Sequence, residues 1–278
     1  MIKKNDPVIH NIIISLSAIF LGLLFIFPVL YCITTAFKTR AELASYPPRL
    51  LPDNFFNLEN FKTVFRIAPM MRFFLNSFIV ASMGCILRIS FAILAAYAFS
   101  YFSFPGKTFL FGLILAAMML PADTLIVTNY LSILRLNMLD NYFAMCITSL
   151  VGASQMFMLR QNMRSIPLSF RDAALIDGCG ELRHLIHVVI PFARPVILIL
   201  LVQSFISFWN AYLWPLLVTN RIQMRTVQIG VAMLTNPMDT NFTVVLAAVS
   251  ILLIPSFILF AFLRIVITRG IESGALIG

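Results

Sequence analysis

The stretch FFLNSFIVASMGCILRISFAILAAYAF, residues 73–99, contains a single charged side chain, Arg88, and no proline. The hydrocarbon core of a bilayer is roughly 30 Å thick, and about 20 apolar residues in an α-helix cross it. The stretch lacks the two-residue alternation of a barrel strand, and lipid offers no partner to an unpaired backbone amide. It is therefore predicted to be a membrane-spanning α-helix.

Composition extends this prediction to the whole chain. Hydrophobic residues occupy 60% of the 278 positions and charged residues 11%, whereas soluble domains carry roughly 45–50% and about 25%. Apolar runs of spanning length lie at residues 11–33, 73–99, 108–129, 139–159, 194–217 and 242–265. The predicted fold is all-α, a polytopic membrane protein with six transmembrane helices in a single domain, residues 1–278.

The loops indicate how these helices are oriented. An even number of spans places both termini on one side, and the distribution of Lys and Arg slightly favours the cytoplasm. Residues 34–71 then form an external loop and residues 160–193 a cytoplasmic one. The formal charge of +9 is attributed to this topology and to anionic lipids, because the sequence has no dense basic stripe typical of nucleic-acid binding.

One cytoplasmic stretch, SFRDAALIDGCGELRHLIHVVIPFARP (residues 169–195, here called the hook), is far more polar than its surroundings. Ser169 and Asp172 have the spacing of an N-cap arrangement, so a short helix is predicted over residues 170–177 with Ser169 as its N-cap. Gly178 is predicted to end this helix in the left-handed conformation. The first half of the hook is therefore a helix followed by a sharp turn.

A second helix is predicted from Glu181, with Pro191 and Pro195 separating it from the next span. Its apolar stripe lies opposite Arg183 and His187 and consists of Leu182, Leu185, Ile186 and Val189. Helices this short are not stable alone in water, so the hook needs a surface to pack against. The residues themselves leave two interpretations open, an amphipathic helix on the membrane surface and a docking element for another protein.

The hook also resembles a known family. D-A-A-x-x-D-G-C followed by V-V-I-P is similar to the EAA loop of ATP-binding-cassette importer permeases, E-A-A-x-x-D-G-A followed by I-x-L-P. Asp172 stands at the family Glu and Cys179 at an Ala. The resemblance implies a coupling contact with an ATPase subunit, made by Asp172, Ala173, Ala174, Asp177, Gly178 and Pro191.

Further segments extend the resemblance to roughly residues 70–278. FMLRQNMRSIP (157–167) resembles the start of the family's loop, and FWNAYLWPLLVT (208–219) resembles a segment of carbohydrate-uptake and glycerol-3-phosphate permeases. The tail RGIESGALIG (269–278) resembles an ending that contacts the ATPase dimer, although Ile277 replaces a lysine.

The resemblance implies a type I importer (MetI-like) fold in a bacterial cell membrane and a carbohydrate or glycerol-phosphate solute. It also implies the partners of this chain, namely a second homologous permease, an ATPase dimer that binds ATP and Mg²⁺, and an extracellular or periplasmic solute-binding protein. The chain itself is expected to bind no cofactor. No nucleic acid is expected among the partners.

Polar side chains inside the predicted spans are candidates for the solute path, because they are costly in lipid and usually face a wet interior. The candidates for this path are Asn76, Asp123, Trp209, Asn210 and Tyr212. Two interpretations stay open for Asp123, a place in the path and a structural pair with Arg88. Trp209 and Asn210 suit either a sugar ring or an interfacial anchor, and Trp214 is expected to be an anchor.

The sequence offers no catalytic or metal constellation. His184 and His187 are three residues apart without a third ligand nearby, so they are expected to be solvated or docking side chains. The four cysteines have no paired spacing and are interpreted as small apolar residues. No Walker-type loop is present, so the chain is predicted not to be an enzyme. The alternative function is a stand-alone, proton-coupled transporter that uses Asp123.

Overall fold

The computed structural model describes the backbone of residues 7–235 and 240–275, and the side chains of residues 11, 14–121, 124–235 and 240–261. All regular structure in these residues is helical. The helices are α1 (Pro7–Ala36), α2 (Arg40–Leu43), α3 (Glu59–Ile67), α4 (Met70–Tyr101), α5 (Lys107–Ala117), α6 (Ile126–Arg135), α7 (Tyr142–Ile147), α8 (Ala153–Arg164), α9 (Leu168–Ile176), α10 (Glu181–Trp209), α11 (Leu213–Val218), α12 (Val227–Met233) and α13 (Phe242–Ala275).

Four stretches in the described part of the chain are long and apolar enough to cross a membrane. They lie in α1, α4, α10 and α13, at Ile14–Ala36, Met70–Tyr101, Glu181–Trp209 and Phe242–Ala261. These four agree with predicted spans near 11–33, 73–99, 194–217 and 242–265. The prediction of an all-α membrane protein is confirmed, although the six predicted runs do not form six unbroken helices.

The predicted span 108–129 is interrupted. Helix α5 ends at Ala117, and a 3-10 turn at Ala122–Leu125 precedes α6. Pro121 explains the break, because its ring would collide with the carbonyl of the residue four positions earlier, which is Ala117.

The predicted spans 139–159 and 194–217 are interrupted as well. Residues 148–152 separate α7 from α8, with Gly152 as the N-cap of α8. Residues 210–212 separate α10 from α11, which is the break that Pro215 imposes on the residue four positions earlier.

The cytoplasmic prolines do not break the chain as predicted. Pro191 and Pro195 both lie inside α10, which runs continuously from Glu181 to Trp209. A π-turn at Leu185–Val189 precedes Pro191, and the Ile190 amide donates to the Leu185 carbonyl five residues back. A local change of helical register is a known way to accommodate proline within a helix.

The chain divides into two compact units, and the prediction of one domain stays a prediction. The first comprises Met1–Pro69 and Val231–Ile254. Within it, the buried Asn60 amide donates to the carbonyls of Ala36 (2.8 Å) and Lys38 (2.7 Å), and its oxygen accepts from Thr243 Oγ1 at 3.0 Å. These bonds fix the end of α1 against α3 and the start of α13.

The second unit comprises Met70–Gly230 and Pro255–Gly278. Its main core lies where α4, α8 and α10 pack together, and its fully buried members include Ala96, Leu159, Met163, Val189 and Ala193. Small residues allow close approach, and a Cβ built on Gly84 would lie 2.7 Å from the ring of Phe208. This packing joins the hook to two membrane-spanning helices.

Candidate functional site

The first helix of the hook is α9, Leu168–Ile176, and it begins two residues earlier than predicted. Pro167 occupies the N-cap position with φ −58° and ψ 135°, and no side chain caps the helix. The predicted capping by Ser169 and Asp172 is therefore wrong. Because Pro167 already ends the preceding helix, α9 starts immediately after it and leaves the Asp172 carboxylate outside any cap.

The glycine turn is as predicted. Gly178 has φ +73°, a conformation that costs residues with a side chain about 1–2 kcal/mol. The Cys179 amide donates to the Ala174 carbonyl at 2.8 Å and the Gly178 amide to the Leu175 carbonyl at 3.0 Å. This pair of bonds is a Schellman motif, which satisfies the last carbonyls of α9 and reverses the chain.

A polar network fixes the base of the hook to the end of α4. Arg171 donates to Glu181 Oε1 at 2.7 Å and to the Tyr101 carbonyl at 2.9 Å. The hydroxyl of Tyr97 donates to Glu181 Oε2 at 2.5 Å and lies 2.9 Å from His184 Nδ1. We call Tyr97, Arg171, Glu181 and His184 the base network, because these side chains connect α4, α9 and α10.

The base network corrects the prediction for His184. This side chain is 2% exposed, and its ring meets that of Tyr101 edge-on at 5.2 Å. His184 is therefore neither solvated nor a docking residue, whereas His187 is exposed as expected. Local sequence patterns carry little signal for this network, since Tyr97 lies 84 positions before Glu181 and 87 before His184.

The tip of the hook faces outward. Leu175 is 52% and Ile176 is 87% exposed, and the neighbouring Asp172, Ala173 and Asp177 are exposed as well. We call these five residues the tip. No hydrogen bond or ion pair links either tip carboxylate to another side chain within the described residues. Of the predicted coupling residues, only Ala174 is buried, and Pro191 is exposed on α10.

The predicted apolar stripe of the second helix is only partly right. Leu185 and Val189 are buried, but Leu182 and Ile186 are 67% and 47% exposed. The π-turn rotates the helix relative to an α-helical register, and the buried face passes through His184 instead. The exposed leucine and isoleucine add apolar surface to the hook.

Three candidates for the solute path lie at the break between α10 and α11. Trp209 is 2% exposed and stacks on Phe205 at 5.9 Å, and its indole nitrogen has no partner among the described residues. Asn210 is exposed and its oxygen accepts from Gln228 Nε2 at 3.1 Å. Tyr212 is 43% exposed. The helix break therefore gathers one buried aromatic side chain and two accessible polar ones.

Asn76 has a structural role. Its amide donates to the carbonyls of Gln223 (2.7 Å) and Arg225 (2.8 Å), and its oxygen accepts from Tyr142 at 2.8 Å. The residue is completely buried, so these bonds occupy its polar atoms. Its place in the path stays a prediction. Trp214 donates to the Ala144 carbonyl at 3.0 Å.

The side chain of Asp123 lies outside the described residues, and so do the side chains of the tail from residue 269 onward. The pair of Asp123 with Arg88 stays a prediction. The described contacts of Arg88 are with the Ser149 carbonyl and the ring of Phe208. Within the described residues, no three His, Cys, Asp or Glu side chains gather in a way that could hold a metal ion.

Comparison with known proteins agrees with this architecture. Residues 88–270 match the family model for the binding-protein-dependent transport system inner membrane component. The arabinooligosaccharides transport system permease protein AraQ of Halalkalibacterium halodurans is 28% identical over 280 residues, which cover 100% of both chains. The sn-glycerol-3-phosphate transport system permease protein UgpE of Yersinia pestis bv. Antiqua is 30% identical, covering 90% of this chain and 91% of the relative.

A solved structure shares the fold. A chain of a bacterial ABC transporter involved in the import of the acidic polysaccharide alginate superposes with a TM-score of 0.81 at 22% identity, covering 95% of this chain and 98% of that one. The family match spans well over half of the sequence and includes the whole hook. The chain therefore belongs to the family of inner membrane components of binding-protein-dependent transport systems.

Proposed function

We propose that this chain is a permease subunit of an ATP-driven importer of a carbohydrate or a glycerol-phosphate type solute. It lies in a bacterial cell membrane with both termini in the cytoplasm. It pairs with a second, homologous permease and receives solute from an external binding protein. A separate ATPase dimer binds ATP and Mg²⁺, and the tip of the hook is the surface that contacts it.

The observation that carries this proposal is the contrast within the hook. Its tip exposes Leu175 and Ile176 beside two carboxylates without partners in the described residues, whereas its base is bound to α4 and α10. Exposed apolar side chains with charged neighbours are typical of a protein interface. A rigidly bound base would allow movement of the tip to be transmitted to α4 and α10.

The proposed mechanism follows from the packing of the base. Arg171 on α9 is bonded to Glu181 at the start of α10 and to the Tyr101 carbonyl at the end of α4. A displacement of the tip is therefore passed to two spanning helices at once. The ATPase changes the preferred orientation of the permease because its closed and open states bind the tip with different affinity.

The solute class is inferred from several relatives. The names of two relatives specify arabino-oligosaccharides and sn-glycerol-3-phosphate, and the transporter of known structure is involved in the import of alginate. All three are polyhydroxylated molecules. Trp209, Asn210 and Tyr212 at the α10–α11 break offer an aromatic face and hydrogen-bonding groups that suit such a solute. We include these three residues in the proposed path.

The experiment that tests this function is purification of the chain with its neighbouring transport subunits, followed by comparison of two glycine variants. Gly178→Pro cannot adopt φ +73° and is expected to abolish ATPase association and uptake. Gly180→Ala is the matched control, since Gly180 has φ −71° and a Cβ there meets nothing within 4 Å. It is expected to assemble and transport normally.

Two outcomes would contradict the proposal. A Gly178→Pro variant that binds the ATPase and imports solute normally would remove the hook from the mechanism. Uptake by the chain alone in liposomes, driven by a proton gradient and lost in Asp123→Asn, would favour the proton-coupled alternative instead.

A further inference from the structure

Arg88 is a cation held deep in the membrane-spanning part of the chain. It lies 18 residues from the start of α4 and 13 from its end, or ~27 Å and ~20 Å at 1.5 Å per residue. The side chain is 8% exposed. A charged side chain at this depth is costly and usually marks a functional site or a buried pair.

The described surroundings of Arg88 satisfy only part of its guanidinium group. Nε donates to the Ser149 carbonyl at 2.7 Å, and the group lies over the ring of Phe208 at 4.2 Å. Arginine carries five N–H donors, and the four on its terminal nitrogens bind no described residue. No carboxylate among the described side chains forms an ion pair with it.

A polar cavity of about 370 Å³ has Arg88 in its lining. Its polar lining consists of Arg88, Thr148, Ser149, Ser154 and Gln155, and the rest is apolar or glycine. No acidic side chain is present in this lining among the described residues. The described walls therefore carry one positive charge and several neutral hydrogen-bonding groups.

The N-terminus of α8 opens onto the same cavity. Gly152, Ala153 and Ser154 line it, Gly152 is the N-cap, and no side chain caps this helix of 12 residues. The Met156 amide donates to the Gly152 carbonyl at 3.0 Å, one turn into the helix. The amides of the turn before it and the helix dipole both favour a negative group at this end. Helices broken within the membrane use such ends to hold anionic groups of a solute.

We propose that Arg88 and the N-terminus of α8 form an anion-binding subsite, and that the transported solute carries a carboxylate or phosphate group. This inference rests on the proposed import function and narrows its solute class. A planar guanidinium binds either anion through two parallel hydrogen bonds. Two sources of positive potential then converge on one cavity, and the bound anion supplies the charge that Arg88 lacks among its described neighbours.

The subsite selects against neutral solutes. A neutral sugar in this cavity would displace water from the guanidinium without supplying an opposite charge, which leaves a buried cation unpaired. Sites built to pair a polar group discriminate strongly against analogues that lack the partner. Hydroxyl groups of the same solute can bond to Ser154 and Gln155, which are themselves joined at 3.0 Å.

The experiment measures binding of two matched probe pairs to the complete transporter in lipid nanodiscs by saturation-transfer NMR titration. The first pair is β-1,4-mannuronate trisaccharide and mannotriose, which differ in their carboxylates. The second pair is glycerol 3-phosphate and glycerol. At least one anionic probe is expected to bind about tenfold or more tightly than its neutral counterpart, because only the anion supplies a charge opposite to that of the guanidinium.

Two variants assign the preference to Arg88. Arg88→Gln is expected to remove the preference for the anion, and Arg88→Lys, which keeps the charge, is expected to retain most of it. The pair that shows the effect distinguishes a carboxylate from a phosphate. The neutral probe is expected to bind Arg88→Gln at least as tightly as the unmodified chain, because this variant no longer leaves a buried cation unpaired.

Three results would overturn the inference. They are equal binding within both probe pairs, a preference that survives Arg88→Gln, and loss of the second permease from the Arg88→Gln complex but not from Arg88→Lys. The last result would assign the charge to a carboxylate of the partner permease. If the unmodified chain fails to purify with the ATPase, the proposed function fails; if it does purify and the anions are not preferred, only this inference fails.

Discussion

The base and the tip of the hook are parts of one loop, yet they are constructed in opposite ways. In the base network, the Tyr97 hydroxyl bonds to both Glu181 and His184. Arg171 donates to Glu181 Oε1 at 2.7 Å. At the tip, Ile176 is 87% exposed, and the carboxylates of Asp172 and Asp177 bind no other side chain among the described residues. Arg171 and Glu181, which bond to each other in the base, are only 10 residues apart, and the exposed tip lies between them.

This difference indicates which part of the loop belongs to the permease and which part to its partner. Buried polar networks hold one geometry because each member would be costly to leave unpaired. Exposed apolar side chains gain stability only when another surface covers them. The base therefore sets the position of the hook, and the tip supplies the contact.

The largest expected effect comes from adding a charge to the tip. Ile176→Asp is expected to weaken ATPase binding by about 2–4 kcal/mol, or roughly 30-fold to 1,000-fold, if Ile176 is a central contact. Titration of the ATPase against permease complexes in nanodiscs measures this. Phe56→Asp is the control, because Phe56 is 90% exposed in the loop predicted to be external. If both variants weakened ATPase binding equally, the tip would have no specific role in that binding.

A second prediction concerns the close approach of α4 and α10 at Gly84 and Phe208. Gly84→Ala places a Cβ 2.7 Å from the Phe208 ring between α4 and α10, so it is expected to destabilise the subunit by about 1–3 kcal/mol. Gly112→Ala meets nothing within 4 Å and serves as the control. Thermal unfolding in detergent provides the measurement. Equal stability of the two variants would show that this close approach is not needed.

A smaller effect is expected from breaking the base. Arg171→Met and Glu181→Gln are each expected to preserve ATPase binding within about threefold but to lower solute imported per ATP hydrolysed. Their side chains are 23% and 41% exposed, so the coupling energy in a double-mutant cycle should be about 1 kcal/mol or less. Additive losses of stability combined with unchanged import per ATP would argue against a rigid base.

The smallest effect concerns α2, a short helix whose cap is complete, unlike that of α9. The amides of Thr39 and Asp53 donate to Glu42 and lower its pKa from 4.5 to about 2. Because the folded pKa is lower, this stabilisation is present above pH 4.5 and is lost as pH falls towards 2. Hydrogen exchange of α2, corrected for intrinsic rates, should rise in that range and be independent of pH in Glu42→Gln. A similar rise in the variant would contradict this assignment.

Much of the fold was predictable because lipid restricts the possibilities. Runs near 73–99 and 242–265 have to be helical, and they are. The breaks after Ala117 and Trp209 were missed, although Pro121 and Pro215 stand four and six residues downstream. A proline disfavours helix in the turn before it, but hydropathy summed over a long window does not show the position of the break.

The candidate site was predictable only where it depends on local sequence. The turn at Gly178 follows from one residue and its neighbours. The base network depends instead on side chains about 85 positions apart, and no pattern within the hook indicates that His184 points to Tyr97. The failed cap at Ser169 has a different, local cause, because Pro167, two residues earlier, fixes the start of α9 before a side-chain cap is needed.

The central claim is that the tip contacts the ATPase and does not lie on lipid. The most direct measurement places a photoreactive amino acid at Ile176 in the assembled transporter and identifies the adduct by mass spectrometry. An adduct with the ATPase subunit, absent when the same group replaces Phe56, is the predicted result. Adducts with lipid at Ile176 and none with the ATPase would contradict the claim and favour a helix on the membrane surface.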